Sequence, residues 1–301
     1  MSVIVDSPGF AELIDAGAGL TLLGSGYEFT EGPVWNPREG CLYFSDIPGD
    51  ARWRWSEGAG MELVARPTFK GNGMAYDVDG SLLVCEQVIS CLSRIGPDGR
   101  RDVVAFYYDD EYLNSPNDVV VRSDGSIYFT DPDYGRWNDW IGCKRSFVRD
   151  FKGVYRVPPG GGVPELVVKP DEFDQPNGLC FSPDERLLYV NDSPRAEIKV
   201  YDVVADGSLT NRRMFCDGIG EGTMEGGNLD GMECDEHGNV WTSGPGGVWV
   251  LNPAGERIGA IRTPEICGSV VFGGQDLTTL FLTTTTTVHS IPTNVAAAPL
   301  P

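Results

Sequence analysis

One unit recurs six times along this chain, and no other feature restricts the fold as strongly. Glu31-Gly32-Pro33-Val34-Trp35 leads to Cys41-Leu42-Tyr43-Phe44-Ser45-Asp46. Asn72-Gly73-Met74-Ala75-Tyr76 leads through Asp79-Gly80 to Leu82-Leu83-Val84-Cys85-Glu86. The third, fourth and fifth copies open at Asn117, Asn177 and Asp230 and turn at Asp124-Gly125, Pro183-Asp184 and His237-Gly238-Asn239. A weaker sixth copy runs from Gly268 to Phe272 and resumes at Leu280-Phe281-Leu282-Thr283. Each copy is an apolar run, a turn rich in Asp, Gly, Pro or Asn, and a second apolar run, which is the signature of a hairpin.

Third runs follow, such as Arg52-Trp53-Arg54-Trp55, Gly153-Val154-Tyr155-Arg156-Val157 and Val248-Trp249-Val250-Leu251, and fourth runs such as Met61-Glu62-Leu63-Val64 and Glu165-Leu166-Val167-Val168. Four strands and about 50 residues per copy are the dimensions of a propeller blade. The expected fold is therefore all-β: one six-bladed β-propeller domain over residues 1–301, with four antiparallel strands per blade. Six copies of one unit favour radial repetition over a β-sandwich. The sixth copy lacks a fourth strand, and Leu20-Thr21-Leu22-Leu23 is expected to supply it and remove an open sheet edge. Residues 1–19 are then an N-terminal arm, and 296–301 a frayed tail.

In a propeller, equivalent positions of successive blades form a ring around the central channel. The residues that open five of the first strands are Glu31, Asn72, Asn117, Asn177 and Asp230, each with a side-chain oxygen. A ring of carboxylates and amide carbonyls without thiol or imidazole suits a hard cation. Calcium leads because its coordination is tolerant; Mg²⁺, Mn²⁺ and Zn²⁺ are alternatives. The competing explanation is local: Asn-Gly and Asp-Gly are turn formers. It is weaker for Glu31, a poor turn former, and for Asn117, which precedes Asp118 rather than glycine.

Composition narrows the partners. The 301 residues carry 44 acidic and 23 basic side chains, a net charge of −21 that repels nucleic acid and anionic membrane and attracts cations. The partner expected is a small molecule. The N-terminus has no basic, apolar signal pattern, and no run is long enough to span a membrane. Eight scattered cysteines form no Cys-x-x-Cys pair and fit small core residues in a reducing cytoplasm.

The runs Phe29-Thr30-Glu31-Gly32-Pro33-Val34-Trp35, Asn114-Ser115-Pro116-Asn117-Asp118-Val119, Phe129-Thr130-Asp131-Pro132-Asp133-Tyr134-Gly135 and Leu229-Asp230-Gly231-Met232 resemble the gluconolactonase family, related to regucalcin, the senescence marker protein. The resemblance spans nearly the whole chain. It implies a six-bladed propeller that hydrolyses sugar lactones with calcium or another divalent cation. It places metal ligands at Glu31, Asn177 and Asp230, a contact to water or substrate at Asn117, and the base at Asp230. The chain departs from the regucalcin branch at Ser115, where that branch has arginine, and from many bacterial relatives at Gln87, where those have histidine.

Water attack on a polarised carbonyl is the expected chemistry. Asn72, Asn117, Glu86 and Asp131 are candidates for sugar hydroxyls. The long segment 133–152, with Trp137 and Trp140, forms either a substrate lid or packing against a neighbouring blade. His237 and His289 are expected to be structural, and no Gly-x-Ser-x-Gly elbow signals a serine hydrolase. An arylesterase or phosphotriesterase on the same site, or a calcium-binding propeller without activity, are the rival functions.

Overall fold

The computed structural model describes residues 2–147, 149–221 and 225–298. Six antiparallel sheets account for nearly all of it. Blade 1 comprises Thr30–Asn36, Cys41–Asp46, Ala51–Ser56 and Gly60–Ala65, hydrogen-bonded in that order. Blades 2, 3 and 4 repeat the pattern, opening with Gly71–Tyr76, Val119–Val121 and Pro176–Phe181. Blade 5 opens with Met232–Cys234 and blade 6 with Cys267–Gly273. The protein is a six-bladed β-propeller.

A radial gradient in burial explains why each run forms its strand. The second strands Cys41–Asp46, Leu82–Glu86 and Ile127–Asp131 are buried along their whole length. They are rich in the β-branched, aromatic and aliphatic residues that pack well on a pleated surface. The outer strand Arg101–Ala105 is largely exposed and carries charge, which protects a sheet edge. The core is divided into six clusters, one at each interface between neighbouring blades. Tyr128 and Val154 of blade 3, for example, pack with Leu188, Val190 and Tyr201 of blade 4. All eight cysteines are unpaired, and six of them are buried.

The ring closes as expected: Thr21–Ser25 pairs with Thr287–Pro292 as the fourth strand of blade 6. The N-terminal arm does more than lead into this strand. Val3–Val5 adds a fifth strand to blade 5 against Arg257–Arg262. The short helix Pro8–Leu13 then buries Phe10 against Trp241, with ring centroids 6.0 Å apart. Residues 296–298 are also tied down, contrary to the expectation of fraying from residue 296. Ala297 bridges Asp235, and the Ala298 N–H donates to the Cys234 carbonyl at 2.9 Å. Residues 299–301 lie outside the described residues. No helix among the described residues is long and apolar enough to cross a membrane.

Candidate active site

The first strand of every blade starts at the same end of the channel, so five residues between 31 and 230 in the sequence meet around one axis. Glu31, Asn72, Asn117, Asn177 and Asp230 line a single cavity of about 10 Å³, with Asp118 and Ser269 beside them. That volume is about enough for one water molecule or ion. Glu31 and the three asparagines are buried, and Asp230 is partly buried.

A belt of hydrogen bonds between blades fixes the spacing. The Gly73 N–H donates to the Asn117 carbonyl at 2.9 Å, and the Gly231 N–H to the Gly268 carbonyl at 2.8 Å. Ser45 Oγ donates to the Asn72 carbonyl at 2.9 Å, and Asn191 Nδ2 to the Asp230 carbonyl at 2.6 Å. This belt also explains the glycines that follow ring residues. Gly73 and Gly178 are not in left-handed backbone, so turn formation does not require them. A Cβ on Gly73 would lie 2.6 Å from the Asn117 carbonyl oxygen, and one on Gly178 would overlap the Asp230 carbonyl oxygen outright. The dipeptides Asn72-Gly73 and Asn177-Gly178 are therefore close-packing signals, not turn signals.

Two carboxyls of like charge crowd the ring. Burial pushes the Glu31 carboxyl well up, and the neighbouring Asp230 charge adds to the shift. Burial likewise pushes Asp230 up to about 7. Glu31 Oε1 is buried without a hydrogen-bond partner, which is costly for a carboxylate oxygen. Below the ring a cavity of about 630 Å³ continues along the channel. Among the carboxyls that line it, burial pushes Asp118 up to about 7 and Glu233 up to about 8. Among the described residues no group of three or more His, Cys, Asp or Glu side chains is arranged to hold a metal ion. The ring brings two carboxylates, so a cation there needs amide oxygens to complete its shell. With hard oxygens only and one orphaned carboxylate oxygen, the residues present fit such an ion.

Glu86 and Asp131, expected to meet sugar hydroxyls, do not line this cavity. Glu86 is ion-paired with Arg101 (Nη2–Oε2 2.5 Å, Nε–Oε1 2.7 Å) and accepts from Ser93 Oγ at 2.6 Å. The Asp131 carboxylate accepts the backbone N–H groups of Asn114 and Ser115 at 2.8 and 2.7 Å. At the end of the second strand of blade 3, Asp131 thus holds the loop entering its own blade. Asp46 and Asp192 hold the entering loops of blades 1 and 4 in the same way. These two carboxylates are spent on the protein's own donors. His289 is in the third strand of blade 6 beside Thr287 Oγ1 at 3.0 Å, and His237 is in a hairpin turn; neither lines the cavity.

The segment 133–152 sits over blades 2 and 3 as a pinned wall; Val148 within it lies outside the described residues. The Arg136 guanidinium donates to the carbonyls of Leu113, Asn114 and Ser146, and Arg145 donates to the Gln87 carbonyl and Ser90 Oγ. Trp140 packs on Phe29 at 5.7 Å, next to the strand that carries Glu31, and Lys70 Nζ holds its carbonyl at 2.7 Å. Trp137 stands edge-on to Tyr134 at 4.8 Å, and its Nε1 donates to Asp133 Oδ1 at 2.6 Å. Both tryptophans remain about half exposed on the mouth face. The residues that sequence reasoning passed over are Ser193, which accepts from Asn177 Nδ2, and the pair Gln175 and Asp133, which are hydrogen-bonded to each other beside the start of the strand that carries Asn177. The run Asp131-Pro132-Asp133-Tyr134-Gly135 hinted at Asp133.

A model of the SMP-30/gluconolactonase/LRE-like region matches residues 29–286. The chain belongs to that family. It is 33% identical over 275 residues to the gluconolactonase of Zymomonas mobilis, covering 85% of this chain and 75% of that protein. It is 31% identical over 264 residues to a pentonolactonase of Haloferax volcanii, covering 84% and 80%. Among solved structures, a gluconolactonase from Xanthomonas campestris superposes with a TM-score of 0.88 at 31% identity, covering 97% of this chain and 95% of that one. In family terms, the matched region contains every ring residue from Glu31 to Asp230.

Proposed function

We propose that this protein hydrolyses five- and six-membered sugar lactones, using one divalent cation, calcium foremost, held by Glu31, Asn177 and Asp230. Lactone hydrolysis as the activity rests on family membership together with the gluconolactonase and pentonolactonase among its relatives. The cation rests on one observation above the others: a buried and a partly buried carboxylate and three amides converge on a cavity of about 10 Å³, and one carboxylate oxygen there has no partner.

A divalent cation at the ring supplies Lewis-acid polarisation of a carbonyl and offsets the like charges of Glu31 and Asp230. The remaining work belongs to the chain. Asp230 accepts the proton of the attacking water, the role of a general base. The Asn117 amide makes no side-chain hydrogen bond among the described residues, so its N–H is free to donate to the oxygen on which charge develops. The Asn72 amide is equally free and lies beside it, suited to a sugar hydroxyl. An acyl chain placed there would leave such groups unpaired at about 1–3 kcal/mol each. The half-exposed faces of Trp137 and Trp140 favour the second reading, an aryl ester as substrate.

The deciding experiment compares kcat/KM for gluconolactone, a pentonolactone, an acyl-homoserine lactone and an aryl ester, before and after chelation. The proposal expects the two sugar lactones to lead and chelation to abolish turnover. Preference for the aryl ester refutes the sugar assignment, and full activity after verified metal removal refutes the cation.

A further inference from the structure

An asparagine can turn either end of its amide toward a cation with almost the same shape, but only the oxygen can ligate. What lies behind the amide decides which end faces forward. We propose that Ser193 and Tyr134 are positioning residues that hold the Asn177 amide nitrogen from behind and so direct its oxygen toward the channel axis. The inference rests on the metal site proposed above.

Asn177 Nδ2 donates to Ser193 Oγ at 3.1 Å, and the same amide also lies beside the Asp230 carboxylate of the ring. The Tyr134 phenol lies beside both side chains, and the Trp137 ring covers its edge at 4.8 Å. Asn72 and Asn117 have no comparable support among the described residues: their side-chain amides make no hydrogen bond to protein. One amide of the three is thus locked and two are free to turn. A ligand must not turn, whereas groups meeting substrate hydroxyls gain from adapting.

The lock is itself anchored. Ser193 follows the second strand of blade 4, and its N–H donates to the Gln175 carbonyl at 3.3 Å. Gln175 clamps Asp133 of the neighbouring blade twice: its Nε2 donates to Asp133 Oδ1 at 2.7 Å, and its Oε1 accepts the Asp133 N–H at 3.2 Å. Lys152 pairs with the other Asp133 oxygen at 3.0 Å. The clamp seats the turn Tyr134–Arg136 of blade 3 against the first strand of blade 4. In this arrangement the wall segment contributes a hydroxyl behind Asn177, beyond any role in covering the mouth.

The test is calorimetric titration of the chelated, full-length protein with Ca²⁺, for wild type, Ser193→Ala, Ser193→Thr and Tyr134→Phe. Loss of one part-buried hydrogen bond predicts up to roughly tenfold weaker binding for Ser193→Ala and a few-fold for Tyr134→Phe, with Ser193→Thr near wild type. Melting of the chelated variants should stay near wild type, and kcat of Ser193→Ala should recover at saturating Ca²⁺. If wild type binds Ca²⁺ and Ser193→Ala binds it equally well, the positioning role is overturned while the metal site stands. An Ser193→Ala defect that neither Ca²⁺ nor Ser193→Thr restores also overturns it, because a packing lesion behaves that way. If Ser193→Ala fails to fold, the Tyr134→Phe affinity decides. If wild type binds no divalent cation, the metal reading itself fails.

Discussion

Replacing Gly73 by alanine tests whether the glycines beside the ring serve the fold as turns or as close contacts. Gly73 does not occupy left-handed backbone, so alanine meets no conformational barrier there. Its Cβ would, however, lie 2.6 Å from the Asn117 carbonyl oxygen and 2.6 Å from Asp118 Cα. Ordinary contact starts at 3.4 Å, so blade 3 must retreat by roughly 0.8 Å where it carries Asn117. Overpacking of this kind costs about 1–3 kcal/mol. Alanine regains about 0.4–1 kcal/mol by stiffening the unfolded chain. A net loss near 1–2 kcal/mol lowers Tm by about 2–8 °C for a domain of this size. The retreat also stretches the 2.9 Å bond from the Gly73 N–H and moves Asn117 off the axis. A misplacement approaching 1 Å costs about a hundredfold in rate, so kcat/KM on a sugar lactone should fall by about that factor. Gly19→Ala is the control, because nothing lies within 4 Å of a Cβ there. Scanning calorimetry and lactone titration read the two effects. If Gly73→Ala melts and turns over like Gly19→Ala, the close-packing explanation is wrong and the turn explanation returns.

Asp230→Asn should lower kcat by about a hundredfold or more, the typical worth of a general base, while His237→Ala and His289→Ala stay near wild type; a dead histidine variant beside an active Asp230→Asn would reverse the assignment. Burial raises the folded-state pKa of Asp230, to about 7. Its stabilising effect in the cation-free protein is therefore complete below the unfolded value near 4 and is lost as pH rises through about 7. Cation binding needs the ionised form, so Ca²⁺ affinity should climb, and the Tm gap between loaded and chelated protein widen, from pH 5 to pH 8; a gap independent of pH refutes the coupling. Phe10→Ala empties a fully buried site against Trp241 and should cost about 3–5 kcal/mol in urea unfolding; a loss under 1 kcal/mol means that the N-terminal arm does not hold blade 5.

Much of this molecule was legible in its sequence because a repeat makes symmetry explicit. The hairpin periodicity of six copies dictates a propeller, and the propeller alone brings residues as distant as Glu31 and Asp230 to one axis. Pairing of Thr21–Ser25 with the last blade was legible for the same reason: a copy short of one strand leaves an edge to be filled.

Which carboxylates near the ring are free for function was not legible. Glu86 and Asp131 look equivalent to ring residues by position and chemistry, yet Arg101 claims one and the N–H groups of Asn114 and Ser115 claim the other. A carboxylate's role depends on which donors lie within about 3 Å of it, and those donors are up to 17 residues away along the chain. Gly73 and Gly178 carry the same lesson, since their necessity comes from an atom on the next blade. The sequence by itself determined the six-fold frame and the five residues at its centre, because both follow from local periodicity multiplied by symmetry. Only the tertiary structure decided which polar groups are already satisfied, because a hydrogen bond is settled by distances between blades that no spacing within a blade records.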